Sequence, residues 1–333
     1  MSDSRTTIDL RSDTVTRPTP RMRHAMLTAE VGDDVMGTDP TVTALEATLA
    51  RRLGKAAGVF VASGTQSNLI ALLTHCQRGD EYIAGATAHT YRFEGGGAAA
   101  LGGIQPQPMP FESDGTLDLG TVASLVKPDD VHFPVTRLLC LENTQDGKAS
   151  GPDYFIAARD LCDDIGLSLH LDGARIFNAA LATDCDVRAI AEPCHSVSVC
   201  LSKGLGAPVG SVLLGSEDFI KQARRWRKVV GGGMRQSGIL AAAGLYALEH
   251  HVSRLVQDHE NAATIASAVN SRFPGAARQH TNMLFVELPE AQLGTLKAKL
   301  AEQQILIRGS RWVTHLDVTA DAVERIINVL AVL

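Results

Sequence analysis

Apolar positions along the chain follow two periods in alternation. After a polar amino-terminal arm, Asp39-Pro40 precedes Val42, Leu45, Leu49 and Leu53 at helical spacing, which predicts a capped amphipathic helix running to Gly54. Val59-Phe60-Val61 is a short apolar run that predicts a strand. It ends in Ser63-Gly64-Thr65-Gln66, and Leu69, Ile70, Leu72, Leu73 and Cys76 then restart the helical period. The same order recurs. A strand at 138–141 ends in Glu142-Asn143, and Pro152 and Gly166 frame a helix that carries Phe155, Ala158, Leu161 and Cys162 on one side. Further strands are predicted at 167–171, ending in Asp172-Gly173, at 197–201, ending in Ser202-Lys203, and at 211–214, ending in Gly215. Near-continuous apolar strands separated by helices imply a mostly parallel sheet covered on both faces, so the class is α/β.

Beyond Gly231-Gly232-Gly233 the texture changes. Long helical stretches at 238–255 and 258–273 lead to strand candidates at 282–288, 305–307 and 312–318, with helices near 291–303 and 319–333. The expected organisation is an arm at 1–16, a large domain at 17–240 and a smaller α+β domain at 241–333.

Composition narrows the function classes. The 333 residues, 45% apolar, can bury a substantial core. Lys and Arg total 31 against 37 Asp and Glu, and no long basic run or interleaved aromatic stripe occurs, so nucleic acid is not an expected partner. The six cysteines are scattered without a CxxC pair, which points to a reducing compartment, and no metal site is expected. The polar start has no apolar leader, and no apolar span of about 18 residues occurs, so a soluble cytoplasmic protein is expected.

Ligands of open parallel sheets bind outside the carboxyl ends of the strands, which directs attention to Gly64-Thr65, Glu142-Asn143, Asp172 with Arg175, and Lys203. Ser63-Gly64-Thr65 opens a helix whose free N–H groups and dipole favour a phosphate, although an ordinary N-cap reads the same way. Asp172 leaves an apolar strand three residues before Arg175, as in a shared ligand site or a structural ion pair. Lys203, held at the edge of a core, has the setting of a Schiff-base lysine, although a lone lysine there reads first as one whose stem lies along apolar surface. Together the three are what pyridoxal 5'-phosphate (PLP) requires of a protein: a phosphate cradle, an acid for the pyridine nitrogen and an amine.

The runs IDLRSDTVTRP, GDDV, SGTQSN, HLDGARIFNA, CLSKGLGAPVGS, GGGMRQSGILAAAG and TNMLF closely resemble low-specificity L-threonine aldolases, PLP enzymes of the aspartate-aminotransferase fold, from about Ile8 to Val318. The resemblance implies reversible retro-aldol cleavage of L-threonine, L-allo-threonine and other β-hydroxy-α-amino acids to glycine and an aldehyde. It also implies PLP in the large domain and a homotetramer with active sites at a dimer interface. By the same resemblance Lys203 carries the cofactor, Asp172 pairs with its pyridine nitrogen, and Gly64 and Thr65 hold its phosphate. Arg235 and Lys228 add phosphate contacts that a neighbouring subunit can supply. His89 stacks on the ring, Arg175 stands near its phenolic oxygen, and Ser12, Arg175 and Arg311 grip the substrate carboxylate. His132 lies near the substrate hydroxyl, so His89 and His132 are the candidate bases, directly or through water. His75, His170, His195 and His315 are expected to be structural, and Trp226, Trp312 and Tyr91 to be packing residues.

Where the resembling enzymes have GDDVYGDDP, this chain has GDDVMGTDP. Met36 would make a pocket there more apolar if the loop borders the substrate side chain. Competing readings are another PLP lyase or transferase, a nicotinamide-dependent dehydrogenase, disfavoured by the lack of GxGxxG, and a non-catalytic binding protein.

Overall fold

The computed structural model describes residues 7–331. α1 (Pro20–Leu27) and α2 (Pro40–Arg52) open the large unit. Asp39 caps α2 by accepting the Thr41 and Val42 N–H groups at 3.1 and 3.0 Å, Pro40 presets its first turn, and Leu45, Leu49 and Leu53 are buried along it.

β2 (Ala57–Val61), β3 (Asp80–Gly85), β4 (Gln105–Met109), β5 (Val135–Glu142), β6 (Ser168–Gly173), β7 (Ser196–Cys200) and β8 (Ser211–Gly215) form a seven-stranded sheet in the order β2-β8-β7-β6-β5-β3-β4. β8 is antiparallel to both neighbours and the remaining pairings are parallel. β7 and β8 are buried throughout, which is why they read as unbroken apolar runs. α3 (Gly64–His75) and α9 (Glu217–Val229) pack on the β2/β8 end, and α6 (Pro152–Ile165) packs on β6. α5 (Leu119–Leu125), α7 (Ile176–Ala182) and α8 (Val187–Ala191) continue that layer, and the short α4 (His89–Arg92) follows β3.

β3 and β4 escape a reading based on apolar runs, for physical reasons. β3 starts with Asp80-Glu81, and the buried Glu81 is matched by Lys127 at 3.3 Å and by the Thr136 hydroxyl at 3.0 Å. β4, Gln-Pro-Gln-Pro-Met, is the edge strand, where a missing N–H is tolerated.

α10 (Gly238–His250) packs on α1 and α2 and buries Ala241, Ala243, Ala247 and Leu248 in the first core. In the carboxyl-terminal part of the chain the second core takes its residues from beyond α10, from Ala262 onward. It joins α11 (Leu255–Arg272), α12 (Glu290–Glu302) and α13 (Ala320–Ala331) to an antiparallel sheet of β9 (Ala277–His280), β10 (Met283–Val286) and β12 (Arg311–Val313). The amino-terminal arm belongs to this core as well: β1 (Ile8–Asp9) pairs in parallel with β11 (Ile305–Leu306), and Ile8 and Leu10 are buried. The arm then turns through Asp13–Val15 toward the large sheet, where the Thr16 hydroxyl donates to the Lys203 carbonyl at 3.1 Å. Both cores therefore meet at the carboxyl ends of the parallel strands. No helix among the described residues is long and apolar enough to cross a membrane.

Candidate active site

Parallel strands deliver their carboxyl ends to one edge, and four of them bring chemistry there. β5 ends in Glu142, directly in register with Asp172 on β6, Lys203 follows β7, and His89 opens α4 just after β3. A cleft of about 290 Å³ opens at this edge. Its walls include Ser12, His89, Phe93, Glu142, Thr144, Asp146, Arg175 and Lys203, with Arg308 and Arg311 contributed by the small unit. A larger pocket of about 600 Å³, with Arg224, Arg225, Arg227 and Lys228 on its walls, shares no residue with the cleft.

Asp172 is buried beneath the cleft, accepting the Ala174 N–H at 3.0 Å and the Asn68 side-chain amide at 2.8 Å. The same amide donates to Glu94 at 2.8 Å, and Glu94 holds His89 Nδ1 at 2.7 Å. The hydrogen bond to Glu94 raises the His89 pKa against the effect of burial, and the Asp172 charge adds to the rise. Glu142 accepts the His89 backbone N–H at 2.8 Å; burial, together with the neighbouring Asp172 charge, pushes its carboxyl up to about 7.

Arg175 lines the cleft and is anchored from behind by the arm. Its Nε and one Nη each donate to the fully buried Asp13 at 2.7 Å, which fixes the plane of the guanidinium in the cleft wall and leaves the outward-facing fork of the two Nη groups for a ligand. Burial alone would raise the Asp13 carboxyl, but the Arg175 charge and hydrogen bonds bring it down to about 2. Arg311 lines the cleft and forms no ion pair with a described residue, so its fork is open to a ligand. Ser12 caps the arm's turn by accepting the Thr14 N–H at 3.2 Å, and its hydroxyl also lines the cleft.

At the start of α3 the Ser63 hydroxyl caps the Gln66 N–H at 3.1 Å, leaving the Gly64 and Thr65 N–H groups without a protein acceptor. A Cβ built on Gly64 would meet only the Ser211 hydroxyl, at 3.7 Å, and that buried hydroxyl has no hydrogen-bond partner. Two open N–H groups and an orphaned donor at a helix start suit a phosphate.

Three of the expected residues are not brought to the cleft. His132 is four-fifths exposed on the loop after α5, bonded to Asp130 at 2.6 Å. Lys228 is exposed beside the larger pocket, and Arg235 is exposed and paired with Asp33 at 2.9 Å. Met36 also borders the larger pocket, 74% exposed, and so does not face a substrate side chain in the cleft of its own chain. Sequence reasoning missed Asp13, Asn68 and Glu94. The first was within reach, since it adjoins Ser12 in the arm; the other two stand inside a helix and a glycine-rich loop, where no local pattern marks them. His75, His170, His195 and His315 line no part of the cleft.

The sequence matches the Beta-eliminating lyase family over residues 9–291. The low specificity L-threonine aldolase of Escherichia coli K12 is 54% identical over 94% of this chain and 95% of its own. The Saccharomyces cerevisiae low specificity L-threonine aldolase is 38% identical over 96% and 84%, respectively. Among solved structures, Leishmania major threonine aldolase superposes with a TM-score of 0.84 at 21% identity, covering 97% of this chain and 98% of that one. A serine palmitoyltransferase structure solved with PLP superposes at 0.75 with 14% identity, covering 98% and 87%, which extends the likeness in fold to a PLP enzyme.

Proposed function

This chain belongs to the low-specificity L-threonine aldolases, and on that premise we propose that it cleaves L-threonine, L-allo-threonine and related β-hydroxy-α-amino acids to glycine and an aldehyde, using PLP held in the strand-end cleft. The observation that carries the reading is the convergence at one sheet edge of Lys203, Asp172, His89 and Arg311, beside a helix start whose N–H groups and neighbouring Ser211 hydroxyl are open.

Lys203 would hold the cofactor covalently through Nζ, Asp172 would keep its pyridine nitrogen protonated, and Gly64, Thr65 and Ser211 would bind its phosphate. When bound, PLP supplies an electron sink for the pair released as Cα–Cβ breaks. Arg311, assisted by Ser12, binds the substrate carboxylate and so fixes which bond stands across the ring plane. Arg175, anchored by Asp13, would turn its free Nη fork to the substrate carboxylate and the cofactor's phenolic oxygen. His89 accepts the β-hydroxyl proton. Lys228, Arg235 and His132, outside their own chain's cleft, enter the reading through a second copy: a homotetramer in which a neighbouring subunit completes each site, working in the cytoplasm on small amino acids. The protein as purified is then yellow, and borohydride fixes the cofactor to Lys203. Threonine yields glycine and acetaldehyde without a folate, and Lys203→Ala abolishes turnover while keeping the far-ultraviolet circular dichroism of the wild type. Colourless protein that takes up no PLP, or near-wild-type turnover in Lys203→Ala, overturns the reading.

A further inference from the structure

We propose that Glu94 is the positioning residue of His89, fixing its ring plane and its Nδ1–H tautomer so that Nε2 is the nitrogen that takes the substrate's hydroxyl proton. The inference deepens the aldolase reading and rests on the role given there to His89.

The geometry is that of an anchored base. The His89 side chain is 38% exposed and Glu94 only 5%, so Glu94 binds the ring on its buried side, at 2.7 Å through Nδ1, and leaves the other side open to the cleft. Glu94 is itself fixed. Its Oε1 also accepts the amide of Asn68, which is 1% exposed, and the second hydrogen of that amide goes to Asp172. Turning Glu94 away would leave a buried donor unpaired. One amide thus ties Asp172, the acid that would pair with the pyridine nitrogen, to the acid behind the base. A carboxylate acceptor selects the tautomer with hydrogen on Nδ1, leaves the lone pair on Nε2, and stabilises the imidazolium formed when the proton arrives. The hydroxyl proton passes to Nε2, the oxygen's electron pair becomes the second bond of the aldehyde carbonyl, and the Cα–Cβ pair stays with the glycine fragment, to which the proton is finally returned.

The charges facing His89 come from several elements: Glu94 on its own loop, Asp172 on β6, Glu142 on β5 and Lys203 after β7. Glu94 and Asp172 favour the protonated ring and Lys203 opposes it. Removing the Glu94 charge therefore lowers the pKa of His89.

The test uses Glu94→Gln holoenzyme, following hydrogen–deuterium exchange at imidazole C2 by mass spectrometry to read the His89 titration alone, beside the pH dependence of kcat/KM for threonine. The expected result is a His89 midpoint and an acid limb of kcat/KM both displaced to lower pH. The plateau kcat falls by roughly tenfold or more, with KM and the cofactor's absorbance little changed. Glu94→Asp, which keeps the charge, restores the wild-type direction of the titration; if Glu94→Gln does not fold, the wild-type titration carries the test, and a His89 midpoint no higher than that of an ordinary imidazole overturns the proposal. An unmoved His89 titration overturns the proposal, whether or not kcat falls, because a loss of rate without that displacement is only structural. A wild-type enzyme that leaves threonine intact overturns the aldolase reading instead, while the His89 titration still tests the anchor.

Discussion

Asp13 spends both oxygens on Arg175 inside the protein, and two consequences follow from its burial. Asp13→Ala strands a buried guanidinium, which is expected to cost about 3–5 kcal/mol, read as a lower urea midpoint at neutral pH. Its pH signature is set by a carboxyl lowered from 3.8 to about 2. A lowered acid contributes its stability above the unfolded value and loses it as pH falls through the folded one. The advantage of wild type over Asp13→Asn is thus level above pH about 4 and shrinks toward pH about 2, visible in urea midpoints across that window. Glu142 has the opposite sign. Its carboxyl is raised from 4.5 to about 7, so its contribution is full below 4.5 and lost as pH rises through 7. Glu142→Gln, permanently uncharged, should gain thermal stability over wild type between pH about 5 and 8 in the cofactor-free protein, and an identical pH dependence in the two proteins would contradict this.

At the scale of elements, α3 links the two halves of the site. Its first turn offers the Gly64 and Thr65 N–H groups, and one turn on it places Asn68 between Glu94 and Asp172. With both Asn68 amide hydrogens donated to carboxylates, its oxygen must accept from His170 Nε2, at 3.2 Å. His170 Nδ1 then accepts from Ser196 at 2.8 Å, and Ser196 accepts from His75 at 2.7 Å. Burial accordingly depresses the His170 pKa to about 4, keeping the chain of tautomers neutral. A side chain at residue 64 would meet only Ser211, in ordinary contact, so Gly64→Ala should fold with wild-type stability. The added methyl stands where a phosphate oxygen would approach, and the variant should lose PLP during dialysis that leaves wild type yellow. Retention equal to wild type would remove α3 from the phosphate site.

On the scale of the whole molecule, the cleft exists because two cores meet, the arm crossing from the second to the first and carrying Ser12 and Asp13 with it. Apolar side chains remain in the open around the residues that miss their own cleft: Val131 is 97% exposed beside His132, and Val229 is 71% exposed beside Lys228. In the homotetramer proposed above these positions are covered. Val229→Asp should then lower both the mass measured by light scattering and the threonine cleavage rate, whereas a full-sized, fully active variant would separate this face from assembly.

Much of this was written in local order. Apolar runs fixed the α/β class and located Gly64, Asp172 and Lys203, because the residue that leaves a buried strand is marked by the run it ends. The resemblance to threonine aldolases added roles that no spacing states. Tertiary structure alone decided the rest. β3 and β4 form where a buried Glu81 finds Lys127 and where prolines reach an edge, so neither announces itself by hydrophobicity. Arg175 takes Asp13 from 162 residues away, and Asn68 reaches Asp172 across 104, pairings that exist only after the strands have chosen their neighbours. His132, placed near the substrate by the resemblance, and Met36, where the loop departs from the family's pattern, stand outside the cleft of their own chain. Periodicity is a property of neighbours in sequence and is legible there, whereas the partner of a buried charge is a property of neighbours in space.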